Sequence, residues 1–227
     1  MNYSKRLIEI AKSIKKGSSL IDVGCDHGYI AKILLDENIV DKVIESDISV
    51  QSLDKAKLLL SAEKYESKVK FIHTDGLNDI DTSSYDTLLI AGMGEDTIIN
   101  ILTKDIEKVK DFQNIVLQAM GEGSQLRKYF MENNFFIEKE RLFIDKDKYY
   151  RLYEVKYQTT NIKNYQFPVN FYLEDIVDLK TYYNNEIINL KNILKNINKE
   201  KNLKKFYELK NDLNNILKYM EKINEKR

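Results

Sequence analysis

The stretch Leu20-Ile21-Asp22-Val23-Gly24-Cys25-Asp26-His27-Gly28-Tyr29-Ile30 decides the fold of this chain. It begins as a short apolar strand, continues into a turn that holds two glycines and the carboxylate of Asp26, and leads at once into a helix pattern. Glycine lacks a Cβ, so the backbone of such a turn can approach a ligand closely. In open α/β sheets, ligands bind at the carboxyl ends of the strands, where this turn falls. The stretch therefore predicts a strand–turn–helix unit with a small-molecule site at its turn.

The composition excludes several classes of protein. The chain has 227 residues, 43% of them hydrophobic, with 36 basic and 36 acidic side chains, so its overall charge does not indicate a nucleic-acid partner. The one cysteine excludes a disulfide framework and a cysteine-rich zinc site, and two histidines make no histidine-rich metal centre. No apolar run is long enough for a membrane span, and no secretion leader is apparent. We therefore expect a cytoplasmic protein that holds no metal and contacts no membrane.

Strand and helix patterns alternate from the amino terminus to about Tyr157. The five strand candidates are short and rich in Val, Ile and Leu, as expected for strands buried on both faces of a parallel sheet. They are Leu20–Val23, Lys42–Ser46, Val69–His73, Asp86–Ala91 and Asn114–Gln118. Amphipathic helices are predicted before and between them, at Asn2–Lys15, Ser49–Lys64, Glu95–Lys110 and Glu122–Asn133.

Two further strands, Phe135–Ile144 and Lys148–Tyr157, are separated only by Asp145-Lys146-Asp147. So short a connection predicts an antiparallel hairpin. Five parallel strands and a terminal hairpin are the outline of a seven-stranded α/β sheet, which we assign to a first domain over residues 1–157.

Residues 158–227 form a second region, which begins with a linker at 158–168. Apolar residues then recur every three or four positions from Ile176 to Ile197, and again from Phe206 to Ile223. Such heptad-like series, separated by a short polar break, predict a C-terminal α-helical coiled-coil hairpin. Lysines cluster near its bend, either as a solvated helix surface or as phosphate contacts.

The turn after the first strand favours one class of cofactor over others. A dinucleotide-binding G-x-G-x-x-G pattern and a phosphate-binding G-K-[ST] loop are both absent. The pattern Asp-x-Gly-x-x-x-Gly, with Asp22 at its start, instead resembles the first motif of class I S-adenosylmethionine-dependent methyltransferases. A cofactor with a sulfonium, an ammonium and no phosphate suits an acidic turn, and Asp22 and Asp26 would repel a pyrophosphate.

The ends of the next two strands carry further carboxylates. Asp47 follows the second strand, where it can accept from ribose hydroxyls, and Asp75 follows the third, where it can accept from an adenine amino group. With the backbone around them, these turns give the predicted S-adenosyl-L-methionine site: Asp22, Gly24, Cys25, Asp26, Gly28, Tyr29, Asp47, Ile48, Asp75, Gly76, Leu77, Ala91 and Gly92.

The turn after the fourth strand narrows the choice of substrate. It reads Ile90-Ala91-Gly92-Met93-Gly94 and lacks the Pro-Pro-aromatic turn of enzymes that methylate the exocyclic amine of adenine. Together with Asp26-His27 in the first motif, the chain from Met1 to about Tyr157 resembles the bacterial tRNA (adenine-22-N1)-methyltransferase family. That resemblance implies a Rossmann-like class I methyltransferase sheet, a helical appendage, and methyl transfer to N1 of an adenine in tRNA.

The resemblance also implies roles for residues outside the cofactor motifs. Asp26 and His27 would contact or position the target base, and Met93 would shape its slot. Candidate tRNA contacts are Lys5, Arg6, Gly94, Arg127, Lys199, Lys204 and Lys205. The chain departs from the family pattern at Cys25 and Gly28, usually Ser and Ala, at Glu95, commonly Gly, and at Ala119-Met120, commonly Pro-Asn.

Two other functions remain open from the sequence. One is a small-molecule methyltransferase whose helical tail is a lid or dimer arm. The other is an RNA-binding module with a vestigial cofactor pocket. The oligomeric state expected is a monomer or a weak dimer.

Overall fold

A seven-stranded sheet with the order β3-β2-β1-β4-β5-β7-β6 forms the centre of the protein in a computed structural model that describes residues 3–120, 124–158 and 176–225. Strands β1 to β5 are parallel, and β7 pairs antiparallel with both β5 and β6. The strands are β1 (Ser18–Val23), β2 (Val40–Asp47), β3 (Val69–His73), β4 (Thr87–Gly94), β5 (Asn114–Met120), β6 (Phe135–Asp145) and β7 (Lys148–Tyr157). The predicted Rossmann-like sheet is thus confirmed.

The helices of the first region lie on both faces of this sheet. They are α1 (Lys5–Lys12), α2 (Tyr29–Asp36), α3 (Val50–Leu59), α4 (Glu95–Lys104), α5 (Ile106–Val109) and α6 (Ser124–Glu132), with a 3-10 turn at Glu63–Tyr65. One core joins the sheet to α4, α5 and α6, and a second joins the opposite face to α1 and α2. The result is a three-layer α/β/α sandwich.

Two predicted helices have different boundaries in the structure. The third helix begins after its N-cap Ser49, whose hydroxyl accepts from the Ser52 amide at 3.2 Å, and it ends at Leu59, short of Lys64. The helix predicted over Glu95–Lys110 is divided at Asp105, whose carboxylate accepts from the Leu77 amide at 3.0 Å. That bond joins residues 28 positions apart, and sequence periodicity does not reveal it.

The terminal strand pair turns at Lys146 and Asp147, which have φ values of 48° and 62°. Two central residues with positive φ are typical of the type I′ turn that matches the twist of a β-hairpin. The predicted antiparallel pairing of β6 with β7 is confirmed, with Asp145 opposite Lys148.

Two long helices, α7 (Ile176–Asn196) and α8 (Leu203–Glu225), form the predicted C-terminal hairpin. Their seam buries Leu179, Tyr183 and Leu190 against Leu209 and Ile216, and Leu142 of β6 joins the same cluster. The hairpin therefore packs on the β6 edge of the sheet. Of the predicted linker, residues 159–168 lie outside the described residues. Within the described ranges, no helix has the length and apolar character needed to cross a membrane.

Candidate functional site

A cavity of about 820 Å³ opens at the carboxyl ends of β1, β2 and β4. Most of the predicted cofactor residues line it, together with the three predicted catalytic residues. The predicted residues on its wall are Arg6, Asp22, Gly24, Cys25, Asp26, His27, Tyr29, Asp47, Ile48, Asp75, Gly76, Ala91, Gly92 and Met93. One contiguous site thus collects residues from four strand ends, as expected for an open α/β sheet.

The turn after β1 is held by Asp47 at the end of β2. The backbone amide of Asp26 donates to Asp47 Oδ2 at 3.1 Å, and the amide of Ser49 donates to Asp47 Oδ1 at 2.8 Å. Gly24 and Asp26 both have positive φ, at 76° and 50°, so the turn follows a path that few residue types adopt. A carboxylate has about four acceptor positions, so Asp47 keeps acceptor capacity on the cavity wall.

Asp22 lies on the floor of the cavity and is almost completely buried, with 2% of its surface exposed. Its Oδ2 has no hydrogen-bond partner among the described residues. Burial, followed by the charge of Asp47, raises the pKa of Asp22 to about 7. An unpartnered carboxylate oxygen at a cavity wall is suited to bind a cation.

Glu45 lies beside Asp22, its register partner on the neighbouring strand, and is fully buried. Neither of its carboxyl oxygens has a partner that meets hydrogen-bond geometry in the described structure. Burial first, and then the charge of Asp22, raise the pKa of Glu45 well above its usual range. A Cβ at Gly28 would lie 3.1 Å from Glu45 Oε2, so the Glu45 carboxyl fills space beneath the turn.

Cys25 is also buried beneath this turn, at 8% exposure. Burial, followed by the negative charge of Glu45, raises the pKa of its thiol well above the ordinary value. Because the thiolate is the nucleophilic form, Cys25 is a packing residue rather than a nucleophile.

At the end of β3, Asp75 faces the cavity but is paired with a cation. Lys104 of α4, another cavity residue, donates from Nζ to Asp75 Oδ2 at 2.7 Å. The pair is half-exposed, so one acceptor side of Asp75 still meets solvent. The sequence did not indicate this partner, because it is 29 residues away.

The end of β4 contains a bulge that presents Met93 to the cavity. The register with β5 shifts between Ala91 and Met93, and Gly92 between them has φ 80°. Bulges of this kind redirect a side chain at the end of a strand. A Cβ at Gly24 would lie only 2.0 Å from Met93 Cε, so the Met93 side chain packs directly on the β1 turn.

A polar pair lies behind this bulge. The Arg6 guanidinium donates from Nη1 to Gln118 Oε1 at 3.0 Å, and a Cβ at Gly92 would lie 3.0 Å from the same nitrogen. Gln118 is completely buried. Arg6, predicted as a tRNA contact, is therefore a wall residue of the cavity itself.

Aromatic and acidic side chains mark the mouth of the cavity. The His27 ring stacks on Tyr29, with centroids 5.6 Å apart and planes at 21°. The Asp26 carboxylate is 72% exposed, with Oδ1 lying 3.6 Å from His27 Nε2. Asp26 and His27 thus point outward, toward the place where a substrate would enter.

Some predicted site residues do not reach the cavity. Leu77, predicted to contact the cofactor, instead belongs to the core, where its amide donates to Asp105, and it does not line the cavity. Gly28 is the N-cap of α2 and packs on Ala56 rather than lining the cavity. Gly94 is exposed outside the cavity wall, and Lys5 is paired with Asp178 at 3.5 Å.

Arg127, predicted as a tRNA contact, is held inside the protein. Its guanidinium is directed inward, where Nε donates to Glu140 Oε2 at 3.2 Å and Nη2 pairs with Glu140 Oε1. Burial lowers its pKa, but the charge of Glu140 outweighs this and raises it above the ordinary value. The structure therefore does not present this cation at the surface, because it is committed to an interior partner.

The predicted lysines lie at the bend of the helical hairpin and do not line the cavity. Lys199, Lys204 and Lys205 are exposed there. The Lys199 ammonium lies 5.1 Å from the ring centroid of Phe206 and 5.8 Å from that of Tyr207. Helix α7, which leads to this bend, contacts the sheet through Asp178 and Tyr183 near its start.

Sequence reasoning did not select several residues that belong to this site or lie directly beneath it. Glu45, beneath the β1 turn, could have been found as a charge inside an apolar strand, two positions before Asp47. Thr97, Asn100, Lys104 and Met120 line the cavity, but only the fold brings their elements to the same strand ends.

Comparisons with known proteins agree with this geometry. A profile of the methyltransferase domain family matches residues 3–153. A Mycoplasma pneumoniae protein whose name places it among tRNA methyltransferases is 31% identical over 190 residues, which are 79% of this chain and 86% of that protein. The Bacillus subtilis tRNA (adenine(22)-N(1))-methyltransferase is 24% identical over 152 residues, 67% of this chain and 64% of that enzyme.

A solved structure resembles nearly the whole chain. The M. capricolum TrmK, in complex with the cofactor product S-adenosyl-homocysteine, is 28% identical, with a TM-score of 0.81 over 97% of this chain and 99% of that one. The strand order and the acidic cavity at the strand ends define a class I methyltransferase. The chain belongs to the bacterial tRNA (adenine-22-N1)-methyltransferase family.

Proposed function

We propose that this protein transfers the methyl group of S-adenosyl-L-methionine to N1 of adenine 22 in tRNA. The observation that carries the proposal is the acidic cavity, with an unpartnered carboxylate oxygen of Asp22 on its floor, in a chain of this family. We also propose that the reaction takes place in the cytoplasm, where its tRNA substrate would be found.

The residues present fit the cofactor. Asp22 offers a buried acceptor to its ammonium group, Asp47 retains acceptor positions for ribose hydroxyls, and Asp75 and Ile48 line the part of the cavity assigned to adenine. Of the two basic side chains that line the described wall, Lys104 is paired with Asp75 and Arg6 donates to Gln118, whereas four aspartates line the same wall, so its carboxylates outnumber its cations. When bound, the cofactor supplies an electrophilic methyl group on sulfur.

The residues of this chain do not need to supply a strong base. Neutral adenine N1 carries a lone pair in the ring plane, so it can attack a methyl group without losing a proton first. The product is cationic, so catalysis rests on positioning and on a favourable field. Asp26, which is exposed at the mouth, would accept from the adenine amino group and stabilise the positive charge that develops on the ring. His27 and Met93 would hold the base in its slot.

The target adenine lies in a folded RNA and must leave its stack to reach this cavity, at a cost of a few kcal/mol. Phosphate contacts would offset that cost. The rim of the cavity is acidic, so we assign those contacts to the basic bend of the hairpin, at Lys199, Lys204 and Lys205.

The direct test uses unmodified tRNA transcripts, the cofactor and mass spectrometry of the digested product. We expect 1-methyladenosine in a transcript with adenine at position 22 and none when that adenine is replaced by guanine. Cofactor binding without methylation of any tRNA would favour a small-molecule methyltransferase, and no cofactor binding would favour a non-catalytic RNA-binding module.

Asp26→Ala tests the assigned catalytic residue. We expect turnover to fall at least about tenfold, because one stabilising group for the developing charge is lost, while the cofactor dissociation constant stays within about twofold. Single-turnover methylation and calorimetry measure the two quantities. Normal turnover would remove Asp26 from the site.

A further inference from the structure

Glu95 joins two helices that begin beside the cavity. It is the first residue of α4, and its Oε2 accepts from the backbone amides of Gln125 at 2.9 Å and Leu126 at 3.0 Å, in the first turn of α6. Amides in the first turn of a helix have no partner within the helix, and a carboxylate there also interacts favourably with the helix dipole. One side chain thus fixes the start of α6 against the start of α4.

This bridge lies between two walls of the cavity. Gly94, the residue before Glu95, is the register partner of Met120 at the end of β5. Met93 and Thr97 line the cavity on the α4 side, and Met120, which is 53% exposed, lines it on the β5 side. The contact between Glu95 and α6 therefore helps to fix the distance between the wall that contains Met93 and Thr97 and the wall that contains Met120.

The cofactor half of the cavity depends on other elements. Asp22 and Asp47 lie at the carboxyl ends of β1 and β2, Asp75 follows β3, and none of their hydrogen bonds in the described structure involves α6. A change at Glu95 should leave that half in place.

Helix α6 is also anchored to the sheet. Arg127, one position after Leu126, is paired with Glu140 of β6, and Glu140 also accepts from Arg151 Nη1 at 2.7 Å. Arg127 lies in the same first turn of α6 as Leu126. Loss of Glu95 would therefore remove the hydrogen bonds that it makes between α4 and α6, while Arg127 still holds α6 to the sheet.

We propose that Glu95 is a positioning residue for the target base, which acts by fixing the starts of α4 and α6 beside the part of the substrate slot that Met93 and Met120 line. The inference rests on the proposed function, because it assigns that slot to the nucleobase. Methyl transfer needs the attacking nitrogen in line with the methyl group, and a displacement of about 1 Å can cost about a hundredfold in rate.

The test compares Glu95→Ala with Glu95→Gln. The alanine variant loses both hydrogen bonds, whereas the glutamine carbonyl can still accept from both amides. Asp96→Asn is the matched control, since Asp96 is an exposed acid in the same first turn with no hydrogen bond to α6 among the described residues. For each variant we would measure the cofactor dissociation constant, the thermal midpoint, and kcat and KM for tRNA.

For Glu95→Ala we expect kcat/KM for tRNA to fall at least about tenfold, with cofactor affinity within about twofold of the parent. Glu95→Gln should recover most of the loss, and Asp96→Asn should match the parent. Parental kcat/KM in Glu95→Ala, or an equal loss of cofactor affinity, would overturn the inference. Failure of the parent protein to methylate any tRNA would instead count against the proposed function.

Discussion

Buried carboxyl groups distinguish the cofactor end of this protein from an ordinary core. Asp22 and Glu45 lie side by side on neighbouring strands, both nearly inaccessible to water and both incompletely hydrogen-bonded. Burying an ionisable group without a partner destabilises a fold, and the usual result is that the group retains a proton. These two carboxyl groups therefore lower the stability of the unliganded protein, but they supply hydrogen-bond acceptors for a cationic ligand.

Glu45→Gln should stabilise the unliganded protein, and more so as pH rises. The pKa of Glu45 is raised in the folded state, so folding retains a proton that the unfolded chain loses above about pH 4. Between these two pKa values, stability falls with pH by up to about 1.4 kcal/mol per pH unit, and glutamine has no such dependence.

Thermal unfolding at pH 5 and pH 8 measures the effect. We expect the variant to exceed the parent at pH 8 by at least about 2 °C, and by less at pH 5. Glu107→Gln, at a side chain that is 83% exposed, is the control and should change little. An advantage that is equal at both pH values would show that Glu45 does not titrate as described.

Asp47→Ala should weaken cofactor binding by about 1.5–3 kcal/mol, the usual contribution of a hydrogen bond to a charged group. Because Asp47 also accepts from the amides of Asp26 and Ser49, the thermal midpoint should fall as well. Calorimetric titration measures the affinity, with Asp54→Ala on the exposed side of α3 as control. Unchanged affinity would mean that Asp47 serves only to hold the turn.

At the scale of elements, periodicity predicted strands better than helix ends. The five parallel strands are short apolar runs, and the two antiparallel strands flank a short polar turn, so all seven were found within a few residues. The helix break at Asp105 depends on a hydrogen bond to Leu77, and the short first helix ends well before Lys15. Contacts between residues that are distant in the sequence determine such boundaries, and the local periodicity of apolar residues does not reveal these contacts.

Substitutions in the β6–β7 turn should increase the stability of the protein. Lys146 and Asp147 occupy positive φ values that Asn and Gly adopt with less strain. Replacing the pair by Asn-Gly should raise the free energy of unfolding by about 1 kcal/mol, the order of the strain that a residue other than glycine meets in the left-handed region. Denaturant titration would detect this, and a loss of stability would indicate that these side chains make contacts that outweigh the strain.

For the whole molecule, the helical hairpin is joined to the sheet through a buried cation. The Arg151 guanidinium donates to Glu140 at 2.7 Å and to the Tyr183 hydroxyl of α7 at 3.4 Å, and it lies 5.1 Å from the ring centroid of Tyr182. Polar and aromatic contacts thus connect the sheet edge to the helix that leads to the basic bend. If that bend holds tRNA, this junction sets its direction relative to the cavity.

Arg151→Ala should cost about 3–5 kcal/mol of stability, because it leaves Glu140 buried with one of its two cations removed. Lys128→Ala is the control, since its pair with Glu132 is exposed and 3.9 Å apart, and it should change stability by less than about 1 kcal/mol. Denaturant unfolding of both variants measures the difference. Equal effects would contradict a junction held by Arg151.

The sequence predicted the cofactor end of the site more completely than the substrate end. Asp22, Asp47 and Asp75 are recognisable because each directly follows or ends a strand, and all three line the cavity. The interior pairing of Arg127 was not predicted, because a helix surface pattern does not reveal a partner such as Glu140 on another element. Glu95 was noted only as a departure from the family pattern, because its bonds to α6 exist only in the folded protein.

The concealed thiol beneath the β1 turn makes the protein convenient for site-directed labelling. Cys25 is the chain's one cysteine, and both its burial and its raised pKa suppress alkylation by maleimide or iodoacetamide. A fluorophore or spin label could therefore be attached at a cysteine introduced on the outer helices, with the natural residue left in place. Two such labels, one on the hairpin and one on the sheet domain, would report any change in the distance between these parts of the protein when RNA binds.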